Sequence, residues 1–188
     1  MNKLFFALTF LFTVSLFPQY GGGDGTSGNP YQISTPAHLH AVRSNLSSYF
    51  IQTANIDLTA ATSSGGDYYN SGSGWEPIGT NSSRFLGSYD GDGYTITGMM
   101  INRSSTSQIG LFGSVGNGSA SPALTDIRMV SVNVTGSADV GAVFGRGEKV
   151  TISGYSSTGT VSNGGGGFIG GLGGSIIGAS TITQSYTT

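Results

Sequence analysis

The chain has 188 residues and a formal net charge of −2, and its five arginines (Arg43, Arg84, Arg103, Arg128, Arg146) are scattered, so it lacks the basic footprint of a nucleic-acid binder. Gly supplies 33 residues, far above the average share of about 7%, while charged residues make up only 9%. Cysteine is absent, which excludes a disulfide framework, a zinc–thiolate site and a cysteine nucleophile together. The 37% of hydrophobic residues fall in short alternating runs, a pattern of ordered β structure with many turns rather than of a disordered linker.

Residues 1–20 read as a secretory signal peptide: Lys3 gives a positive start, Leu4 to Phe17 an apolar stretch, and Pro18 to Tyr20 a polar end, although no small-residue cleavage site stands out near Phe17. The apolar stretch is shorter than the roughly 20 residues of a spanning helix, and no other segment is a candidate for a membrane span. Residues 21–74 form a lead-in and N-terminal capping region. Within it Tyr31 to Ile33 predicts a short strand, and Ser34-Thr35-Pro36 predicts a helix start, with a hydroxyl N-cap and Pro at the first helical position. Leu39, Val42 and Leu46, spaced by three and four, extend a short amphipathic helix over 37–46. Tyr49 to Leu58 alternates as one or two strands, and 59–74 reads as a loop.

From Trp75 to Thr188 the chain is strand and turn. Phe85 to Gly98 predicts two strands joined by a tight Asp-Gly turn at Asp90-Gly91-Asp92-Gly93, and Met99 to Asn102 predicts another strand. A repeated phrase then takes over. Ile109-Gly110-Leu111-Phe112-Gly113 returns as Val140-Gly141-Ala142-Val143-Phe144-Gly145 and as Ile169-Gly170-Gly171-Leu172-Gly173, at intervals of 31 and 29 residues. Each is followed by a Thr/Ser-rich phrase, starting at Leu124, Val150 and Ser180. Such self-similarity marks units that bury their apolar residues only by stacking on neighbours. The expected fold is all-β: a right-handed parallel β-helix or β-solenoid over 75–188 behind the helix-containing N-terminal cap. The chain stops at Thr188 within a repeat, so the solenoid is expected to be truncated at its C-terminal end, leaving a strand edge open to self-association.

Residues 24–188 resemble the GLUG-motif repeat proteins. The resemblance rests on the Asp90-Gly91-Asp92-Gly93-Tyr94 segment, on the paired-glycine phrases, on Thr151-Ile152-Ser153-Gly154-Tyr155 with its second copy from Thr181 to Thr188, and on the lead-in from Gly28 to Ile33. It implies a β-solenoid in an exported bacterial surface protein, often adhesive. Tyr155 sits one place early relative to Tyr186, which leaves coil boundaries open by a few residues.

Among the nine carboxylates only Asp90 and Asp92 are close in sequence, and they could share Ca2+, a hard cation that takes oxygen ligands; the simpler reading is that they shape the turn. Asp126 and Asp139, with Arg128 or Arg146, are the candidate acid–base pair of a polysaccharide lyase or glycoside hydrolase built on a β-helix. His38 and His40 lie two apart on a helix and so face different ways, unlike the i, i+4 pairs that hold metals. No Gly-x-Ser-x-Gly elbow is present, and the Gly164–Gly167 run lacks the Lys and helix of a phosphate loop. Trp75, Tyr89, Tyr94, Tyr155 and Tyr186, set among amides and hydroxyls, are the candidate ligand-binding aromatics. The pairs Thr95/Thr97 and Thr181/Thr183 raise ice binding as a lesser alternative. The leading expectation is a non-enzymatic cell-surface stalk or adhesive module whose partner is a surface glycan, a protein ligand or another copy of itself, with no cofactor beyond Ca2+.

Overall fold

The computed structural model describes residues 19–183 and 185–187. The leader expected over 1–20 falls outside these residues except at Gln19 and Tyr20. Tyr20 stacks on Tyr31 at 4.2 Å, meets Phe50 edge-on at 5.8 Å and donates its hydroxyl to the Ala41 carbonyl at 2.9 Å. Tyr20 thus packs against the cap.

The cap begins with β1 (Tyr31–Ile33) and α1 (Pro36–Ala41). The Thr35 side chain accepts the His38 N–H at 3.1 Å, so the hydroxyl–Pro helix start is real. α1 is shorter than expected: it tightens into a 3-10 turn over Val42–Ser44, and Asn45 leaves helical geometry with φ −139°. Asn45 instead donates through Nδ2 to the Tyr20 hydroxyl at 2.9 Å. Leu39 and Val42 are nonetheless fully buried, as their spacing requires.

The first coil is β2 (Tyr49–Gln52) and β3 (Ile56–Asp57), followed by a short helical turn, α2 (Thr59–Thr62), inside the expected loop. Next come β4 (Ser88–Asp90), β5 (Thr95–Thr97) and β6 (Met100–Asn102). A further coil holds β7 (Phe112–Val115), β8 (Ala123–Thr125) and β9 (Arg128–Gly136). The two coils after it repeat one plan: β10 (Val140–Gly141), β11 (Phe144–Glu148), β12 (Thr151–Ser153) and β13 (Ser156–Asn163), then β14 (Ile169–Gly170), β15 (Gly173–Ile177), β16 (Thr181–Thr183) and β17 (Tyr186–Thr187).

These strands stack rather than fold back. One sheet runs six strands deep in the order β1-β2-β4-β8-β12-β16; a second runs β17-β13-β9-β5-β3 with β6 also on β9; a third runs β15-β11-β7, and β10 pairs with β14. The pairing is parallel in all of them. The chain is a β-solenoid with a helix-containing N-terminal cap. The Asp-Gly turn is a corner of it and not a hairpin: β4 and β5 enter different sheets, with Asp92 at φ 46° and Gly93 at φ 74° turning the backbone between them.

Register explains the repeat intervals. Ile109 lies against Val140, and Val140 against Ile169, so 31 and 29 residues are each one full coil. The Thr/Ser phrases need one shift. Thr151 opposes Thr181, but Leu124 opposes Ile152 and not Val150, so that phrase begins two residues before Leu124. Inward side chains form columns along the axis: Phe50, Tyr89, Leu124 and Ile152 in the first sheet, and Ile56, Ile96 and Met129 in the second. All seven are buried, and each such burial is worth roughly 1.5–3 kcal/mol.

His40 makes the cap sensitive to acid. Its ring stacks on Tyr68 at 4.3 Å and meets Trp75 edge-on at 5.9 Å, with Arg43 poised 5.4 Å over the same Trp75 ring. Burial holds the His40 pKa below the ordinary imidazole value; neighbouring Arg43 adds to this and Glu76 opposes it, while burial alone lowers His38. A lowered folded pKa means that the unfolded chain binds protons more readily. Stability from these rings is therefore full above the ordinary value of about 6.5 and is lost as pH falls through the folded values. Asp24 and Asp57, lowered chiefly by hydrogen bonds from Thr26 and Thr59, hold their contribution to lower pH. The expected result is a melting temperature flat above neutrality that declines first in the imidazole range, and a flatter profile in His40→Gln. Imidazole NMR titration at the ordinary value, with no decline in melting, would refute it.

Candidate functional site

Alternation along each strand sends every second side chain outward. On the first sheet the outward positions form two columns about 4.8 Å per step. One runs Ile51, Asp90, Thr125, Ser153, Thr183; the other includes Ala123, Thr151 and Thr181, with Ser88 Oγ accepting the Ala123 N–H at 3.4 Å. On the second sheet Asn102, Thr135 and Ser162 stand in register, and the Thr135 and Ser162 hydroxyls bond at 2.9 Å. These outward columns are rich in hydroxyls, with Asn102 adding an amide on the second sheet.

These columns do not form the rank expected for ice binding. Thr95 and Thr97 stand on β5 in the second sheet, whereas Thr181 and Thr183 stand on β16 in the first. The two pairs therefore face different sides of the solenoid. Within the first sheet, Ala123 and Asp90 interrupt the hydroxyl columns.

The aromatic candidates divide sharply. Trp75, Tyr89 and Tyr155 point into the solenoid and are at most 1% exposed, so they present no face to a sugar. Their polar ends are satisfied inside: Trp75 Nε1 donates to the Leu111 carbonyl at 3.2 Å, the Tyr89 hydroxyl to Gln52 Oε1 at 3.2 Å, and the Tyr155 hydroxyl to the Gly171 carbonyl at 2.6 Å. Burial raises both tyrosine hydroxyls well above their ordinary pKa, keeping them neutral. Tyr94 is half-buried and Tyr186 is 65% exposed, so these two remain on the outside. The one-place offset between Tyr155 and Tyr186 has a structural consequence. Tyr186 opposes Ser156, and a one-residue slip in a strand moves a side chain to the other face.

Asp90 and Asp92 do shape the corner: Asp90 Oδ1 accepts the Asp92 N–H at 2.9 Å. Among the described residues, no three His, Asp or Glu side chains gather as a metal cluster. The corner has two carboxylates, and backbone carbonyls and waters would have to supply the rest of the six to eight oxygens that Ca2+ takes. Asp126 and Asp139 are not brought together either. They occupy the corners at the two ends of β9, with φ 48° and 53°, while Arg128 lies on the second sheet and Arg146 on the third. The Gly164–Gly167 run is an exposed connection between two strands.

Nothing in the sequence pointed to a side cleft of about 200 Å³ between the segment after Trp75 and the corner after β6. Arg103 lies in its wall, with Nε donating to the Trp75 carbonyl at 3.3 Å and Nη2 to that of Gly74 at 3.5 Å. Glu76 stands in the same cleft and is paired with Arg43 at 2.9 Å. The signal that could have found it is the coil period, since Glu76 and Arg103 are separated by nearly one turn.

No family model matches the chain. A stretch of 99 residues, 52% of the chain, is 48% identical to a protein from Evansella cellulosilytica named "Putative Gly-rich membrane protein", of which it covers 11%. Over 170 residues, 87% of the chain, it is 36% identical to halomucin from Haloquadratum walsbyi, covering 2% of that protein. The chain thus spans only a small part of the curated relatives it matches. Among solved structures, a putative immunoglobulin A1 protease from Bacteroides ovatus superposes with a TM-score of 0.56 at 18% identity, over 90% of this chain and 70% of that one. That likeness concerns the fold. Among the described residues no helix is long and apolar enough to cross a membrane.

Proposed function

We propose that this chain is a GLUG-type repeat module of an exported bacterial surface protein, serving as a rigid, non-enzymatic stalk or adhesive segment whose outward columns meet a glycan. The observation that carries this reading is the stack of parallel sheets with hydroxyl-rich outward columns, a repeating surface on which no three His, Asp or Glu side chains gather among the described residues. Relatives named as a Gly-rich membrane protein and as halomucin support a surface role, and the small share of each that is covered supports a module within something larger. Stacked coils suit this work because each shares its stability with its neighbours along one axis.

A glycan-array screen of the chain, with and without calcium, tests it. Selective binding that survives chelation is the expected result, given the two-carboxylate corner at Asp90 and Asp92. Absence of binding to every glycan would remove the adhesive half of the proposal, and electron microscopy for filaments would then examine the structural half. Release of new reducing or unsaturated sugar ends would overturn it in favour of a hydrolase or lyase.

A further inference from the structure

The side cleft carries a more specific inference, which rests on the glycan-binding reading. From a guanidinium outside both ion pairs, set in a hollow lined by apolar, amide and hydroxyl groups, we infer that the cleft at Arg103 is a subsite for the carboxylate of an acidic sugar, a uronic acid residue of a polysaccharide.

The charge balance points there first. Two ion pairs are formed among the described residues, Arg43 with Glu76 and Arg84 with Glu148. Arg103, Arg128 and Arg146 are in neither, and of these three only Arg103 lines the cleft. The hydrogen bonds of Arg103 go to two backbone carbonyls, which fix the plane of the guanidinium yet leave Nη1 without a bonded partner among the described residues. A planar fork held in place with donors to spare is the geometry that takes a carboxylate. Arg43 meanwhile takes up the charge of Glu76, so the Glu76 carboxylate does not neutralise Arg103.

The rest of the lining selects the remainder of the ligand. Asn81, Thr106, Ser107 and Gln108 line the same cleft with amides and hydroxyls, the groups that exchange hydrogen bonds with sugar hydroxyls, while Pro77 and Ile109 offer apolar surface to a ring face. Phosphate could use the guanidinium but would leave most of these amide and hydroxyl groups without the sugar hydroxyls that match them, which disfavours it against a sugar carboxylate. At about 200 Å³ the cleft is smaller than the roughly 300–1,000 Å³ of sites for drug-sized ligands. It has room for one ring of a chain whose remaining units lie along the outside of the coils.

The test titrates the full chain with trigalacturonate, with neutral maltotriose and with inorganic phosphate, followed by calorimetry and NMR shifts. Trigalacturonate is expected to bind, more weakly as salt rises, and maltotriose and phosphate at least tenfold more weakly or not at all. Arg103→Gln should lower trigalacturonate affinity roughly tenfold, the scale of one charge-assisted contact. Arg103→Lys should retain part of it. Because Arg103 also braces two carbonyls, a second variant is needed: Ser107→Trp fills the exposed mouth of the cleft, leaves Arg103 alone, and should abolish binding with melting unchanged.

Equal binding of maltotriose or of phosphate would overturn the assignment, as would affinity unchanged in both variants, or no binding of trigalacturonate. The array separates this from the broader reading. Neutral glycans bound by the Ser107→Trp protein would leave the adhesive module standing without this subsite, whereas silence from both experiments would remove both.

Discussion

Gly141→Val is expected to lower the melting temperature by about 6–12 °C, taking roughly 3 kcal/mol for overpacking that backbone cannot relieve. A Cβ at Gly141 would lie 2.4 Å from Gly173 Cα, 2.5 Å from the Phe144 carbonyl oxygen and 2.7 Å from that of Leu172. None of these is the movable end of a side chain. Gly141 stacks on Gly170 in register, and Gly110 sits against the Gly141 carbonyl and the Phe144 backbone. The coils touch here because no side chain intervenes. Valine would push the last coil away and open the core over Phe144. Gly28→Ala is the control, since nothing lies within 4 Å of its added carbon. Wild-type melting in Gly141→Val would mean that the coils are not in contact at this point.

The same glycines account for why the fold could be read from the amino-acid sequence while the site could not. A close approach of backbones tolerates only glycine, so it leaves a mark wherever it occurs: Gly141 and Gly170 are that mark, and their spacing measures a coil. The Thr35-Pro36 helix start is legible for the same reason, being a local contact written in adjacent residues. Facing direction is different. Trp75, Tyr89 and Tyr155 have the composition of a sugar-binding surface, but all three are buried: Tyr89 by its parity on β4, Trp75 and Tyr155 by the connections that carry them, and both depend on where each corner falls. Corners such as Asp126 and Asp139 adopt positive φ without glycine, so they are not visible as corners. The cleft was hidden more deeply, because its walls come from segments about one coil apart, the stretch after Trp75 and the corner after β6.

Removal of residues 164–188 is expected to destabilise everything that remains, and not merely to subtract a coil. The deleted coil buries little on its own account: Phe168, Ile169, Ile176 and Ile182 are all more than a third exposed. Its worth lies in what it covers. Without it Val140, Phe144, Ile152 and Tyr155, now buried, would form an open end. The hydroxyls of Tyr155 and Ser157 would both lose the Gly171 carbonyl, and the Val140 and Val143 N–H groups would lose those of Phe168 and Leu172. Exposing four such side chains by about half costs roughly 3–6 kcal/mol, partly offset because fewer residues need ordering. In a stacked array a unit is unfavourable alone and is held by its interfaces, so the net change should lower the melting temperature by about 5 °C or more and keep a single transition. Hydrogen exchange should show protection lost first in β12 and β13 and last in β2 and β4. If the shortened chain melts where the full one does, the coils do not share their stability, and the stacking account of this fold fails with it.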